Sequence, residues 1–254
     1  MKSQRSAAKS TGPPALARPL EELIHSHDVD ELCAAAANSS LNEELASALL
    51  ARGDLPAKAL EQLSKNSNVA RDRKVLIAVL CHPRTPRHVS MPLTRHLHTF
   101  ELLQVALTPA LAADLKIAVE EALITRMQAI AAGERLTLAK RGSTRVAAAL
   151  LVDPDERVIQ AALANPFMTE EWVVKALGKP SSPAALVQAV TRHQKWSARR
   201  DVQVALLRNE NTTLATALVC ARKLPAGVLR EILAHSRLPE RIRNVLLAQF
   251  VSKE

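Results

Sequence analysis

Val146-Ala-Ala-Ala-Leu-Leu-Val-Asp153-Pro154, followed at once by Val158-Ile-Gln-Ala-Ala-Leu-Ala-Asn165-Pro166, decides the fold. Each phrase is an apolar run of helical length closed by a short polar side chain and a proline. It stands again at Val75-Leu-Ile-Ala-Val-Leu-Cys-His82-Pro83, and without the proline at Val187-Gln-Ala-Val-Thr-Arg-His193 and Val202-Gln-Val-Ala-Leu-Leu-Arg-Asn209. Asp153, His193 and His235 are 40 and 42 residues apart, and Asn165 and Asn209 are 44 apart. Self-similarity at this period marks stacked helix pairs, because a unit buries its apolar face only against its neighbours.

Proline disfavours helical geometry in the residue before it and lacks an N–H, so His82-Pro83, Asp153-Pro154 and Asn165-Pro166 each end a helix. The polar side chain is expected to bond the backbone freed there. Helix starts are marked by proline near a first turn at Thr85-Pro86, Ser182-Pro183 and Leu238-Pro239, with Thr85 and Ser182 as caps, and by capping-box spacing at Ser40-Leu-Asn-Glu43. Thr169-Glu-Glu-Trp172 puts two acids in a first turn. The strongest amphipathic stretch is Leu111 to Ala132, with Gly133 as a left-handed C-cap.

The Val-x-x-Ala-Ala-Leu-Ala-Asn-Pro pattern at 158–166 and the period of about 40 resemble the HEAT-like and leucine-rich-repeat-variant group of bacterial alpha-helical repeat proteins. The resemblance spans residues 30 to 250 and is clearest from 135 onward. It implies an all-α fold, a right-handed HEAT-like superhelix of five or six helix pairs, and the role of an interaction scaffold. Leucine-rich-repeat-variant proteins can carry a cysteine-ligated iron–sulfur cluster, whose ligands the lone Cys33 does not supply, so no cofactor is expected.

The 254 residues carry a net charge of +9. Residues 1–18 contribute Lys2, Arg5, Lys9 and Arg18 with no acid, which leaves +5 for the remainder. This stretch is too poor in large apolar groups to fold and is expected to be a disordered basic arm, ahead of one helical-repeat domain over 19–254. With three Phe, two Trp and no Tyr, the core must be built from small aliphatic side chains. Cys33, Cys81 and Cys220 form no C-x-x-C pair, which fits a reducing compartment and argues against a structural metal. No apolar run reaches the roughly 20 residues that span a bilayer, and no secretory signal is visible, so a cytoplasmic protein without membrane contact is expected.

Two basic clusters are candidate binding sites. One runs from Arg71 to His98 and offers Arg84, Arg87 and Arg95, whose guanidinium groups match phosphate or carboxylate geometry. The other, Thr191 to Arg200, sets Trp196 among Arg192, Lys195, Arg199 and Arg200. A nucleic-acid surface would stack a base on Trp196; a structural role would have it plug the gap between layers. Trp172 is expected in the core. His96 and His98, like His25 and His27, are two apart and point to different helix faces, so no metal site is assigned. Nucleotide-binding, zinc-protease and serine-hydrolase motifs are missing.

The expected function is noncatalytic: a scaffold for a protein or peptide of acidic character, steered by Arg and Lys. Nucleic-acid binding through the same basic residues is the alternative. HEAT-like proteins also include glycosylases acting on alkylated bases, which would require Trp196 and Asp201 to face one cleft.

Overall fold

A computed structural model of the chain describes residues 19–109 and 111–251, and the basic arm expected at 1–18 lies outside them. Among the described residues there are eighteen α-helices and no strand, so the fold is all-α. They fall into two compact units. The first takes in residues up to 96 and 111–115. It holds α1 (Leu20–Leu23), α2 (Val29–Ala37), α3 (Glu43–Leu50), α4 (Ala57–Lys65), α5 (Arg73–Cys81) and α6 (Arg87–Leu93). The second takes in 97–109 and the residues from 116 onward. It holds α7 (Thr99–Ala106), most of α8 (Ala113–Arg126), α9 (Ala132–Arg141), α10 (Thr144–Ala149), α11 (Glu156–Leu163), α12 (Glu170–Gly178) and α13 (Ala184–Arg192). After these come the short α14 (Gln194–Ser197), then α15 (Arg200–Arg208), α16 (Leu214–Ala221), α17 (Ala226–Ala234) and α18 (Glu240–Leu246).

Within each unit, helices pack on the next but one. In the first unit α2 packs on α4 and α3 on α5. In the second, α9 packs on α11 and α11 on α13, while α10 packs on α12, α12 on α15 and α15 on α17. Alternate helices thus form two rows, as expected of short pairs that must borrow apolar surface from neighbours. Alanines at the contacts, among them Ala35, Ala46, Ala59, Ala147 and Ala162, are fully buried and let the rows approach closely.

The polar closers hold the rows together, but across helices as well as locally. Asn66 ends α4 and donates its amide to the carbonyls of Ala36 (3.0 Å) and Asn38 (2.9 Å) at the end of α2. Asn165, after α11, donates to Ala139 (2.8 Å) and Gly142 (3.1 Å) at the end of α9. Asn209, after α15, donates to Leu177 at the end of α12 (2.7 Å). In each case the amide oxygen accepts from the N–H two residues on: Asn68, Phe167 and Asn211. His82 does the same, with Nε2 on the Arg52 carbonyl at 2.8 Å and Nδ1 accepting from Arg84 N–H at 3.2 Å, which fixes a neutral imidazole protonated at Nε2. Asp153 has no proton to donate; it instead accepts from Arg135 Nε at 2.8 Å.

His193 and His235 break the series. His235 is exposed, and the link from α17 back to α15 is the Arg237 N–H on the Arg208 carbonyl at 3.1 Å. At α13 the donor is Trp196, whose indole N–H reaches the Leu163 carbonyl at 2.8 Å while the ring is only 1% exposed. Proline is dispensable to this device: Asn66 and Asn209 leave their helices in the same extended geometry without one.

Other local expectations change. The stretch 111–132 is not one helix: α8 ends at Arg126, and Gly133 lies inside α9 rather than in a left-handed cap, since no described residue has a positive φ. Glu134 bonds the Ala131 N–H at 3.1 Å and opens α9 there. Asn42, not Ser40, caps α3. Pro86, Pro183 and Pro239 sit one position before the first turn, Thr85 bonds back to the Val79 carbonyl, and the buried Ser182 hydroxyl has no partner among the described residues. Gly142 is required sterically, since a Cβ there would lie 2.5 Å from the Leu138 carbonyl and 2.8 Å from Val146 Cγ1.

Replacing Asn165 with Ala leaves two carbonyls and an N–H at a buried site without a protein partner. Asn165→Ala should therefore lower stability by about 2–4 kcal/mol in urea unfolding. The exposed Asn211→Ala, which loses one bond to Ser182, should cost less than about 1 kcal/mol.

Candidate functional site

Three cavities in the second unit adjoin through shared lining residues and lie along α8, α10, α12 and α15 as a chambered groove. The first, about 440 Å³, lies beside Ile124, Met127, Arg135, Ala149, Val152 and Asp153. The middle one, about 150 Å³, shares Ile124 and Ala149 with it and adds Arg145, Trp172, Lys175 and Lys179. The last, about 590 Å³, shares Lys175 and adds Glu170, Glu171, Asp201, Val204 and Arg208.

The local fold places these groups. Buried Val173 and Leu177 anchor α12 to its row, while Trp172, Lys175 and Lys179 follow at helical spacing on the face that buried Ala176 shares. Trp172 is half-buried, with Lys175 Nζ 4.9 Å from its ring centre. Arg145 comes from α10 and pairs with Glu121 at 2.9 Å. Lys175 and Lys179 make no ion pair among the described residues. Glu170, Glu171 and Asp201 stand in the first turns of α12 and α15, where the helix dipole favours acids. The groove is therefore cationic and aromatic in the middle chamber and of mixed charge in the last.

The residues picked out in the sequence fall in both units. Arg84, Arg87 and Arg95 belong to the first unit and the others to the second. Arg84 donates to the Asp54 carbonyl at 2.7 Å, and Arg87 pairs with Asp114 at 2.7 Å. Arg192 pairs with Glu156 at 3.4 Å. Arg199 lies 3.9 Å from Glu170, at the rim of the last chamber, and the neighbouring Arg200 is exposed. Lys195 covers the Trp196 ring at 4.1 Å. Of the two roles open to Trp196 the burial fits the structural plug and not the stacking surface, since a ring 1% exposed offers no face to a base. Asp201 lines a chamber that Trp196 does not, so the two do not share a cleft. Trp172, expected in the core, is the aromatic that faces the groove. Its i, i+3, i+7 relation to Lys175 and Lys179 was available in the sequence.

No family model, curated protein or solved structure matches the chain. The groove's own chemistry must distinguish one function from another. No group of three or more His, Cys, Asp or Glu side chains among the described residues is placed to hold a metal ion. Burial pushes the Cys220 thiol up to about 11, which keeps it protonated at neutral pH. No helix is long and apolar enough to cross a membrane among the described residues.

Two measurements probe this description. Acrylamide quenching of intrinsic fluorescence should be dominated by Trp172, so Trp172→Phe abolishes most of it and Trp196→Phe little. His193 sits beside Trp196 with a buried Nδ1 that has no partner among the described residues. Burial, then the Lys195 charge, holds its pKa below the usual 6.5. The unfolded chain therefore binds the extra proton first, so stability is full above pH 6.5 and falls as the pH drops below it. His193→Asn, which restores the closer used elsewhere, should flatten that decline in urea titrations between about pH 7 and 5.

Proposed function

We propose that the chain is a noncatalytic interaction scaffold of HEAT-like repeat architecture that takes an extended peptide segment of acidic character into the groove of α10, α12 and α15. The packing of alternate helices into two rows and the phrase repeated every 40 residues or so support the HEAT-like, right-handed superhelical reading. The observation that carries the binding reading is the middle chamber, where the half-buried Trp172 lies among Arg145, Lys175 and Lys179. A cytoplasmic setting agrees with three cysteines, Cys33, Cys81 and Cys220, that lie far apart in sequence and form no C-x-x-C pair.

Nucleic-acid binding is the second reading, and the charge pattern disfavours it. A phosphate chain following the groove from the middle chamber would next meet Glu170, Glu171 and Asp201. A peptide can place neutral or basic residues there at no electrostatic cost. Base-excision chemistry is weaker again, because Trp196 is buried and Asp201 has no aromatic neighbour in its chamber.

The test is binding of an array of labelled acidic, neutral and basic peptides, alongside labelled single- and double-stranded oligonucleotides, at about 50 and 200 mM salt. A subset of acidic peptides should bind the intact chain, and Trp172→Ala with Lys175→Glu should weaken them at least tenfold. Oligonucleotides that bind more tightly than any peptide, with a steep salt dependence lost in that variant, would replace the first reading with the second.

A further inference from the structure

Resting on the peptide-binding reading, we infer that the first and middle chambers select one signature: an aliphatic side chain and an acidic side chain at neighbouring same-side positions of an extended segment. The first chamber is walled by Ile124, Met127, Leu150, Val152 and Pro154. Its two charged groups, Arg135 and Asp153, are spent on each other at 2.8 Å, with side chains 17% and 4% exposed. A charged ligand group would find no compensating charge there, whereas an aliphatic one exchanges water for an apolar wall.

Arg135 adds direction. Its Nε donates to Asp153 and its Nη1 to the Ile130 carbonyl at 2.9 Å. Nη2 has no acceptor among the described residues, and Arg135 lines the cavity. A guanidinium clamped at two nitrogens and open at the third is a preorganised donor for a neutral acceptor, such as the main-chain carbonyl of the bound segment.

The middle chamber has the opposite preference. It is about a third the size of the first, and its apolar lining beyond Ile124 and Trp172 is alanine: Ala148, Ala149 and Ala176. An aliphatic group lodged there would strip water from Lys175 and Lys179 without replacing it, and a basic one would be repelled. A carboxylate fits the space, meets both ammonium groups and Arg145, and lies against Trp172. Because Ile124 and Ala149 line both chambers, the two selected side chains must be close neighbours on the ligand. In an extended chain, side chains on one face are two residues apart, about 6.6–6.8 Å.

The experiment is a selection of displayed random dodecapeptides on the intact chain, run in parallel on Lys175→Glu/Lys179→Glu and on Val152→Trp. All three changed residues are exposed, so folding is preserved, as circular dichroism will check. The intact chain should enrich Leu, Ile, Val or Met two positions from Asp or Glu. The charge-reversed variant should keep the aliphatic position and exchange the acid for Lys or Arg. Val152→Trp, which fills the first chamber, should lose the aliphatic preference and keep the acid. Enrichment of peptides without this pairing, or an unchanged acidic consensus on the charge-reversed variant, overturns the inference while leaving the scaffold intact. Enrichment of no peptide at all on the intact chain overturns the scaffold reading with it.

Discussion

The structure depends on how short helices dispose of their last carbonyls. An α-helix leaves four C=O groups without intrahelical partners, and α2, α4, α5, α12, α13, α15 and α17 are each nine residues long. Close to half of the acceptors in such a helix need an outside donor, and the neighbours in the row exclude much of the water that would supply one. Asn66, His82, Asn165, Trp196 and Asn209 supply it from the end of the next helix in the same row. Each such bond is worth about 1 kcal/mol net, but its absence leaves a buried acceptor costing about 1–3 kcal/mol. The closers therefore act mainly against mispacking: a helix shifted along its neighbour in the row would lose the bonds that join the two.

That constraint also explains why the donors differ while the position persists. Asparagine is the simplest solution, because one amide both accepts from the N–H two residues on and donates across the row. Neutral histidine repeats this with its two ring nitrogens. Aspartate can only accept, so the site at Asp153 needs a donor of its own and finds it in Arg135. The pairing fixes the guanidinium at the wall of the groove's first chamber. The different closer at this joint has thus placed a polar group beside the groove's first chamber.

The all-α class, the short helices and the closing residues were legible from the repeated phrase, because each closer occupies the same place relative to an apolar run. The bonds between helices were not: nothing local in Asn165 says that its amide reaches Gly142, 23 residues earlier. The functional surface was legible only in parts. Counting cations directed attention to Arg192, Lys195 and Trp196, but a charge count does not reveal partners. Arg192 is paired, and Lys195 with Trp196 forms a covered strut. Trp172 was assigned to the core because Ala176 shares its helical face. The face is wide enough for Ala176 to be buried while Trp172 lies at its margin, and burial at a margin is decided by the neighbouring helix rather than by the period.

The same distinction governs the chain's charge. A formal +9 suggests a surface for polyanions, yet residues 1–18 hold four of those charges, and many of the remaining arginines sit against carboxylates or carbonyls. What decides recognition at close range is the uncompensated charge where water is excluded, since exposed charges beyond about 8–10 Å are screened at physiological salt. By that measure the groove is not generally basic. Lys175 and Lys179 concentrate positive charge on the smallest chamber, while Glu170, Glu171 and Asp201 oppose it in the next. Such an alternation attracts a polyanion weakly along its length and a single carboxylate strongly at one point. It is the pattern expected of a surface that reads a short segment by position rather than one that holds a charged polymer by its backbone.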